Sequence, residues 1–211
     1  MVKKTFMILD LDDTIYPIRS IPPHTASIFF DTLRKVNNVL DEPTLSKAIE
    51  DSWTVPFYEL CQSYGFSQEM IEASIASFER IKLEIVPFQD YKEIRSSTIK
   101  KFLVTSGVTT FQQKKIEALG IRNDFQSIHI NDPLTGWHSG KRGLFLHILG
   151  ENDLHPEEGL VIGDNIDSEL HAARELRIDS VLIDREKRYA KIPPWVSHVM
   201  NDFSALKKEL L

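Results

Sequence analysis

Five short apolar segments, most of them separated by stretches with a helical pattern, restrict this chain of 211 residues to few folds. Each segment is nearly continuous in apolar residues, as expected for parallel strands that are buried on both faces of a sheet. Strands that alternate with helices predict an α/β fold with a doubly wound, Rossmann-like parallel sheet. The predicted strands are 6–9, 102–104, 127–130, 160–162 and 181–183, and the predicted helices between the last four are 109–119, 144–149 and 170–176.

The long segment between the first two predicted strands has a different, helical pattern. Two apolar stripes at helical spacing run through it, and Pro22-Pro23 and Pro87 mark its borders. The stripes are Phe29, Leu33, Val36 and Leu40, then Ile71, Ile75, Phe78 and Ile81. We therefore predict a small all-helical cap, residues 17–87, inserted after the first strand into an α/β core of residues 1–16 and 88–211. In that core, the tail 187–211 is predicted as a loop followed by a short helix.

Composition excludes several classes of protein. Hydrophobic residues make up 42% of the chain, enough for a core, and the net charge of −6 argues against a nucleic-acid groove or binding to anionic membranes. The single cysteine, Cys61, excludes an internal disulfide framework and a cysteine-based zinc site. No apolar run is long enough to span a bilayer, so we expect a cytoplasmic protein. The oligomeric state stays open.

Polar groups follow three of the predicted strands, where open α/β sheets bind their ligands. Asp10 and Asp12 come directly after the first strand, and Thr105-Ser106-Gly107 follows the second. The fourth strand leads into Asp164, with Asp167 and Glu169 close behind, and Lys141 lies in a glycine-flanked loop before it.

These residue types suit phosphate chemistry with a hard cation. Asp10 and Asp12 repel each other unless a cation lies between them or one pKa is raised, and four carboxylates with Asp164 and Glu169 suit Mg²⁺. The Thr105 hydroxyl, free backbone N–H groups and the Lys141 charge suit phosphate oxygens. Taken singly, each motif also fits a structural role: a loop of solvated acids, an ordinary turn or a surface lysine.

The order of these motifs resembles that of the haloacid dehalogenase-like superfamily, and the helical insertion resembles its cap domain. The string from Leu9 to Pro17 looks like the pyrimidine 5′-nucleotidase-like branch. The resemblance implies a phosphatase that uses Mg²⁺ and acts on a small phosphorylated metabolite. By the same resemblance, Asp10 would be the nucleophile and a metal ligand, and Asp12 the general acid and base, with its carbonyl also on the metal.

The remaining roles also follow from the resemblance. Thr105 and Lys141 would hold the phosphoryl oxygens, together with the N–H groups of Leu11 and Ser106, and Gly107 belongs to the same substrate-binding turn. Asp164 and Glu169 would complete the magnesium site. The last acid is commonly Asp in this superfamily, so Asp167 competes with Glu169. Ser106 and Arg142 also depart from the usual residues at their positions.

A proton donor must be protonated when the leaving group departs, so we expect the pKa of Asp12 to lie above that of a free aspartate. The presence of Asp12 argues against the dehalogenating branch, which lacks that aspartate. A receiver-like phospho-acceptor is the alternative from another class, but it is shorter and has no inserted cap.

For the substrate we favour a nucleoside 5′-monophosphate, because the string that ends in Ile15-Tyr16-Pro17 and the inserted cap resemble the nucleotidase-like branch. Trp53, Phe57 and Tyr58 could offer the base a stacking surface in the cap. The alternatives are that these aromatic residues pack the cap helices and that the enzyme is a sugar-phosphate or phosphoglycolate-type phosphatase, or a phosphomutase.

Overall fold

The protein forms a parallel sheet with helices on both faces, seen in a computed structural model that describes residues 2–135 and 140–206. The six strands lie in the order β3-β2-β1-β4-β5-β6, so the chain builds outward from β1 in both directions. All neighbouring pairs are parallel, which confirms the predicted doubly wound sheet. The strands are β1 Phe6–Leu9, β2 Lys100–Ser106, β3 Ser127–Asn131, β4 Gly159–Gly163, β5 Asp179–Ile183 and β6 His198–Met200.

Both faces of the sheet are apolar, which explains the continuous apolar runs in the sequence. Met7 and Leu9 belong to a core cluster on one face, whereas Phe6 and Ile8 belong to a cluster on the other. The first cluster includes residues of the covering helices α5 Tyr91–Ser96 and α6 Thr109–Ala118. The second includes residues of α7 Gly140–Asn152 and α8 His171–Glu175.

Four helices between β1 and β2 form a separate apolar cluster, and we call residues 23–80 the helical block. The helices are α1 Pro23–Val36, α2 Glu42–Asp51, α3 Phe57–Tyr64 and α4 Gln68–Arg80. Asp41 and Ser67 cap α2 and α4 by accepting hydrogen bonds from backbone N–H groups. The block rests on the core through Phe78, whose ring stacks on Phe111 of α6 with 4.6 Å between centroids.

Several elements differ from the sequence prediction. The tail was predicted to be a loop, but it adds the edge strand β6, and the predicted terminal helix falls partly on residues 207–211, outside the described ranges. Lys141 lies in the first turn of α7 and not in a loop. A π-helical turn, Ile166–Leu170, leads into α8. Within the described residues, each helix is too short or too polar to cross a bilayer.

Candidate active site

The carboxyl ends of β2, β1 and β4 meet at one edge of the sheet because these strands are direct neighbours. Asp10 follows β1, Thr105 lies near the end of β2, and Asp164 follows β4. A cavity of about 200 Å³ lies between this edge and the helical block, and all three side chains line it. The chain order of the motifs therefore places them around one cavity.

Three buried carboxylates form a cluster at the floor of this cavity. Oxygens of Asp10, Asp164 and Glu169 lie within 4.8 Å of one another. Like charges this close repel, and burial makes each charge harder to form, so the cluster requires compensating cations. An all-oxygen set of acids suits Mg²⁺, so the donors fit the predicted ion. Asp167 is exposed and lies outside this cluster of described residues, so the structure favours Glu169 as the third acid.

Gly163 explains how a glutamate fits where the superfamily commonly has an aspartate. A Cβ at position 163 would lie 2.2 Å from Glu169 Oε1, so the longer side chain occupies the space above this glycine. The Asn165 N–H donates to the same oxygen at 2.7 Å. The glycine and the backbone turn together aim the Glu169 carboxylate at the cluster.

We expect Gly163→Ala to weaken Mg²⁺ binding by about 10- to 100-fold, because the new methyl group would displace Glu169. The same overpacking should lower the free energy of unfolding by about 1–3 kcal/mol. Titration calorimetry and urea unfolding measure the two effects. Gly150→Ala is the matched control, since its Cβ meets open space in α7 and should be neutral or stabilising. Unchanged Mg²⁺ affinity in Gly163→Ala would show that Glu169 does not help to bind the ion.

Lys141 connects two of the three acids through its buried ammonium group. Its Nζ donates to Asp10 Oδ1 at 2.6 Å and to Glu169 Oε2 at 2.7 Å. Burial alone would lower the pKa of Lys141, but the two carboxylates raise it well above its ordinary value, so the side chain is charged. Burial raises the pKa of Asp10 well above its ordinary value, although Lys141 opposes this; Glu169 and Asp164 add to the rise.

Asp164 is held by groups from two other segments. Its Oδ1 accepts a 3.4 Å hydrogen bond from the Thr14 hydroxyl, and its Oδ2 pairs with the Arg188 guanidinium. The Tyr189 hydroxyl donates to the Asp164 carbonyl at 3.0 Å. Burial raises the pKa of Asp164 to about 7, with Glu169 adding to the rise and Arg188 opposing it.

This raised pKa predicts how metal binding depends on pH. Below about pH 7 the ion must displace a proton from Asp164, so we expect the Mg²⁺ dissociation constant to rise roughly tenfold per pH unit. Without metal, the folded protein binds more protons than the unfolded chain between about pH 4 and pH 7, so this carboxyl makes stability fall as pH rises through that range. Calorimetric titrations at pH 5.5, 6.5 and 7.5 test the first effect. A dissociation constant that stays flat across this series would contradict the assignment of Asp164 as a ligand.

Asp12 is not part of the acid cluster, and several hydrogen-bond donors surround its carboxylate. Lys115 Nζ lies 2.8 and 3.0 Å from its two oxygens, the Tyr16 hydroxyl donates at 2.6 Å, and Gln112 Nε2 donates at 3.1 Å. Burial alone would raise the pKa of Asp12, but the Lys115 charge and these hydrogen bonds lower it below its ordinary value. The expectation of a raised pKa is therefore wrong for this arrangement, because a buried lysine was not anticipated beside Asp12.

The turn after β2 is also more fully hydrogen-bonded than predicted. Gln112 Nε2 donates to the buried Thr105 hydroxyl at 2.8 Å and to the Ser106 carbonyl at 2.7 Å. The Gly107 N–H donates to the Asn131 carbonyl at 3.2 Å, so this donor is already paired, and a role of Gly107 in substrate binding stays a prediction. Gly107 has a φ of 141°, a conformation that favours glycine, which explains its presence in the turn.

Leu11, like Ser106, is predicted to bind a phosphoryl oxygen through its backbone N–H group. Its side chain is fully buried in the core cluster, and it is absent from the described residues that line the cavity. Only the backbone N–H group of Leu11 can therefore contact a phosphoryl oxygen, which is the role predicted for it.

Four residues of the site were missed from the sequence: Tyr16, Gln112, Lys115 and Arg188. Gln112 and Lys115 are almost fully buried on α6, one turn apart. Polar residues on the buried face of a helix that follows Thr105 are the signal that could have identified them. Arg188 gave no such signal, because it lies in the loop after β5 and meets Asp164 only through the fold.

Comparisons with known proteins agree with this architecture. The family described as haloacid dehalogenase-like hydrolase matches residues 7–183. The glyceraldehyde 3-phosphate phosphatase of Methanopyrus kandleri is 22% identical, over 93% of this chain and 91% of its own length. The enzyme of the same name from Methanocaldococcus jannaschii is 24% identical, over 86% and 85%. Among solved structures, CbbY from Rhodobacter sphaeroides in complex with phosphate has a TM-score of 0.68 at 14% identity, covering 96% of each chain.

Proposed function

Since this chain belongs to the haloacid dehalogenase-like hydrolase family, we propose that it is a Mg²⁺-dependent phosphatase that forms an aspartyl phosphate on Asp10. The observation that carries the proposal is the position of the Asp10 carboxylate. It lies within 4.8 Å of two further acids and 2.6 Å from Lys141, in the cavity between the sheet edge and the helical block. Family membership favours a hydrolase over a receiver-like phospho-acceptor.

In the proposed reaction, an Asp10 oxygen attacks phosphorus while the bond to the leaving oxygen breaks. Asp12 donates a proton to that oxygen, and the alcohol departs. Water then attacks the aspartyl phosphate as Asp12 takes its proton, which releases phosphate and restores Asp10. Asp12 is held as a carboxylate by Lys115 in the present arrangement, so it must leave Lys115 and take up a proton from solvent before it can donate that proton to the leaving oxygen.

Charge neutralisation accounts for most of the expected rate enhancement, because phosphoryl transfer depends mainly on positioning and electrostatics. Lys141 and Thr105 would contact the phosphoryl oxygens, helped by the N–H groups of Leu11 and Ser106. Asp10, Asp164 and Glu169 would hold the magnesium ion with the Asp12 carbonyl. When bound, the ion would neutralise phosphoryl charge in a protein whose net charge is −6.

For the substrate we propose a small sugar phosphate. The cavity, about 200 Å³, is smaller than the pockets of roughly 300–1,000 Å³ that hold drug-sized ligands. Two curated relatives are named glyceraldehyde 3-phosphate phosphatases, which supports a substrate of this size. Nucleoside 5′-monophosphates are the second candidate, because Trp53 and Phe57 line the cavity. Tyr58 is not among the described lining residues.

We propose that the helical block acts as the cap predicted for residues 17–87. It supplies one wall of the cavity, and a closed wall would exclude water during transfer. The proposed function is tested by assaying the purified protein with p-nitrophenyl phosphate, then with sugar phosphates and nucleotides, with Mg²⁺ and after chelation. Metal-dependent release of phosphate supports it, and full activity after exhaustive chelation would contradict it.

A further inference from the structure

The wall that the helical block and its flanking residues 18–22 and 81 present to the cavity is almost wholly apolar. Described residues between 18 and 81 that line the cavity are hydrophobic, apart from Ser52 and Thr54. Phe30, Trp53 and Val55 are typical members. Among these lining residues none carries a charge. The part of a substrate that extends from the phosphate towards this wall therefore meets carbon and hydroxyl groups.

The cations that line the cavity lie on the opposite, core side, and each is paired with an acid. Lys141 contacts Asp10 and Glu169 at 2.6 and 2.7 Å, and Lys115 contacts both oxygens of Asp12. Arg188 pairs with Asp164. Among the described lining residues, these three are the cations. In the present arrangement, a second anionic group on the substrate would have to displace one of these acids or lie unpaired against the apolar wall. Lys115, which Asp12 leaves in the proposed reaction, lies on α6 of the core and not in this wall.

The two polar residues of the wall favour a neutral hydroxyl group. The Ser52 hydroxyl donates its hydrogen to the Ile49 carbonyl at 2.6 Å, and the Thr54 hydroxyl donates to the Asp51 carbonyl at 3.4 Å. Both hydroxyl oxygens then keep lone pairs that can accept a hydrogen bond. An acceptor at this position complements a substrate hydroxyl and repels a carboxylate.

We infer that this wall selects phosphomonoesters whose organic part is small and uncharged, and rejects esters that carry a carboxylate or a second phosphate. The inference rests on the proposed phosphatase function and narrows its substrate class. Burying an unpaired carboxylate against apolar groups is strongly unfavourable, so discrimination of at least roughly 100-fold in kcat/KM is expected. The phosphoglycolate-type alternative is disfavoured on the same ground, because that class of ester is anionic at both ends.

Glycerol 3-phosphate and 3-phosphoglycerate provide a matched test, since they share a three-carbon skeleton and differ in a terminal hydroxymethyl or carboxylate group. We expect kcat/KM for the alcohol to exceed that for the acid by at least roughly 100-fold. Equal values, or a preference for the acid, would overturn the inference. If the acid is preferred and Arg188→Ala removes that preference, Arg188 and not the wall determines specificity, and the inference again fails.

A charge placed in the wall provides the second test. Thr54 is exposed as well as cavity-lining, so Thr54→Arg should fold, and it should narrow the kcat/KM ratio between the two substrates by about two- to fivefold. Val39→Arg adds the same charge at an exposed position outside the described lining residues and should leave the ratio unchanged. An unchanged ratio in Thr54→Arg contradicts the inference. Turnover of p-nitrophenyl phosphate separates the two proposals: if it is absent, the phosphatase function itself fails.

Discussion

Asp10→Asn is expected to reduce phosphatase turnover by on the order of 10⁴-fold or more, because the amide can neither attack phosphorus nor provide a charged ligand for the metal. The folded protein should tolerate the change. Burial raises the pKa of Asp10, so its charged form is unfavourable in the metal-free protein. A neutral amide at this position removes that buried charge. Lys141 would keep Glu169 as its partner at 2.7 Å. Initial rates with p-nitrophenyl phosphate, together with thermal unfolding under chelation, measure both effects.

Asp167→Asn is the matched control for this prediction. It makes the same chemical change on another acid of the π-helical turn that holds Glu169, but Asp167 is exposed and lies outside the acid cluster. We expect its turnover and its Mg²⁺ affinity to stay within about twofold of the wild type. Substantial turnover in Asp10→Asn would remove Asp10 as the nucleophile, and a large loss in Asp167→Asn would show that Glu169 is not the third acid.

The centre of the fold was predictable because its strands are buried on both faces. Such strands must be apolar at every position, and this leaves short continuous runs that a sequence shows directly. β6 gave no such run: of its three residues, Met200 is buried and Val199 is exposed. A short edge strand needs only one apolar side chain, so its pairing with β5 depends on the completed sheet.

The acid cluster was predictable for a different reason. Asp10 and Asp164 directly follow buried strands, and in a parallel sheet the ends of neighbouring strands must converge. The environment of Asp12 was not predictable in this way. Its pKa depends on Lys115, which is distant in sequence and reaches it because α6 contributes to the core cluster on this face of the sheet. The direction of a pKa shift depends on such partners, and the residue type alone does not determine it.

Asp12→Asn should slow hydrolysis of an alkyl phosphate by about 10²- to 10⁴-fold, which is the usual contribution of general acid catalysis. The same change should lower kcat/KM for p-nitrophenyl phosphate by less than about tenfold, because that leaving group departs without a proton. The side-chain change keeps the backbone carbonyl that we propose as a metal ligand. A comparison of kcat/KM for the two esters gives the result. A uniform loss with both esters would indicate damage to the site and not the loss of a proton donor.

Lys115 complicates this experiment, and a second variant resolves the difficulty. The Lys115 side chain is 4% exposed, so Asp12→Asn leaves a buried cation without its charged partner. The free energy of unfolding should fall by about 3 kcal/mol or less, because the Asp12 side chain is itself 25% exposed. Adding Lys115→Met removes that cation at similar volume and should restore the thermal stability. If Asp12 is the proton donor, the double variant stays slow with the alkyl ester although it is stable. If the double variant recovers turnover to within about threefold of the wild type, the role of Asp12 is to pair with Lys115 and not to transfer a proton.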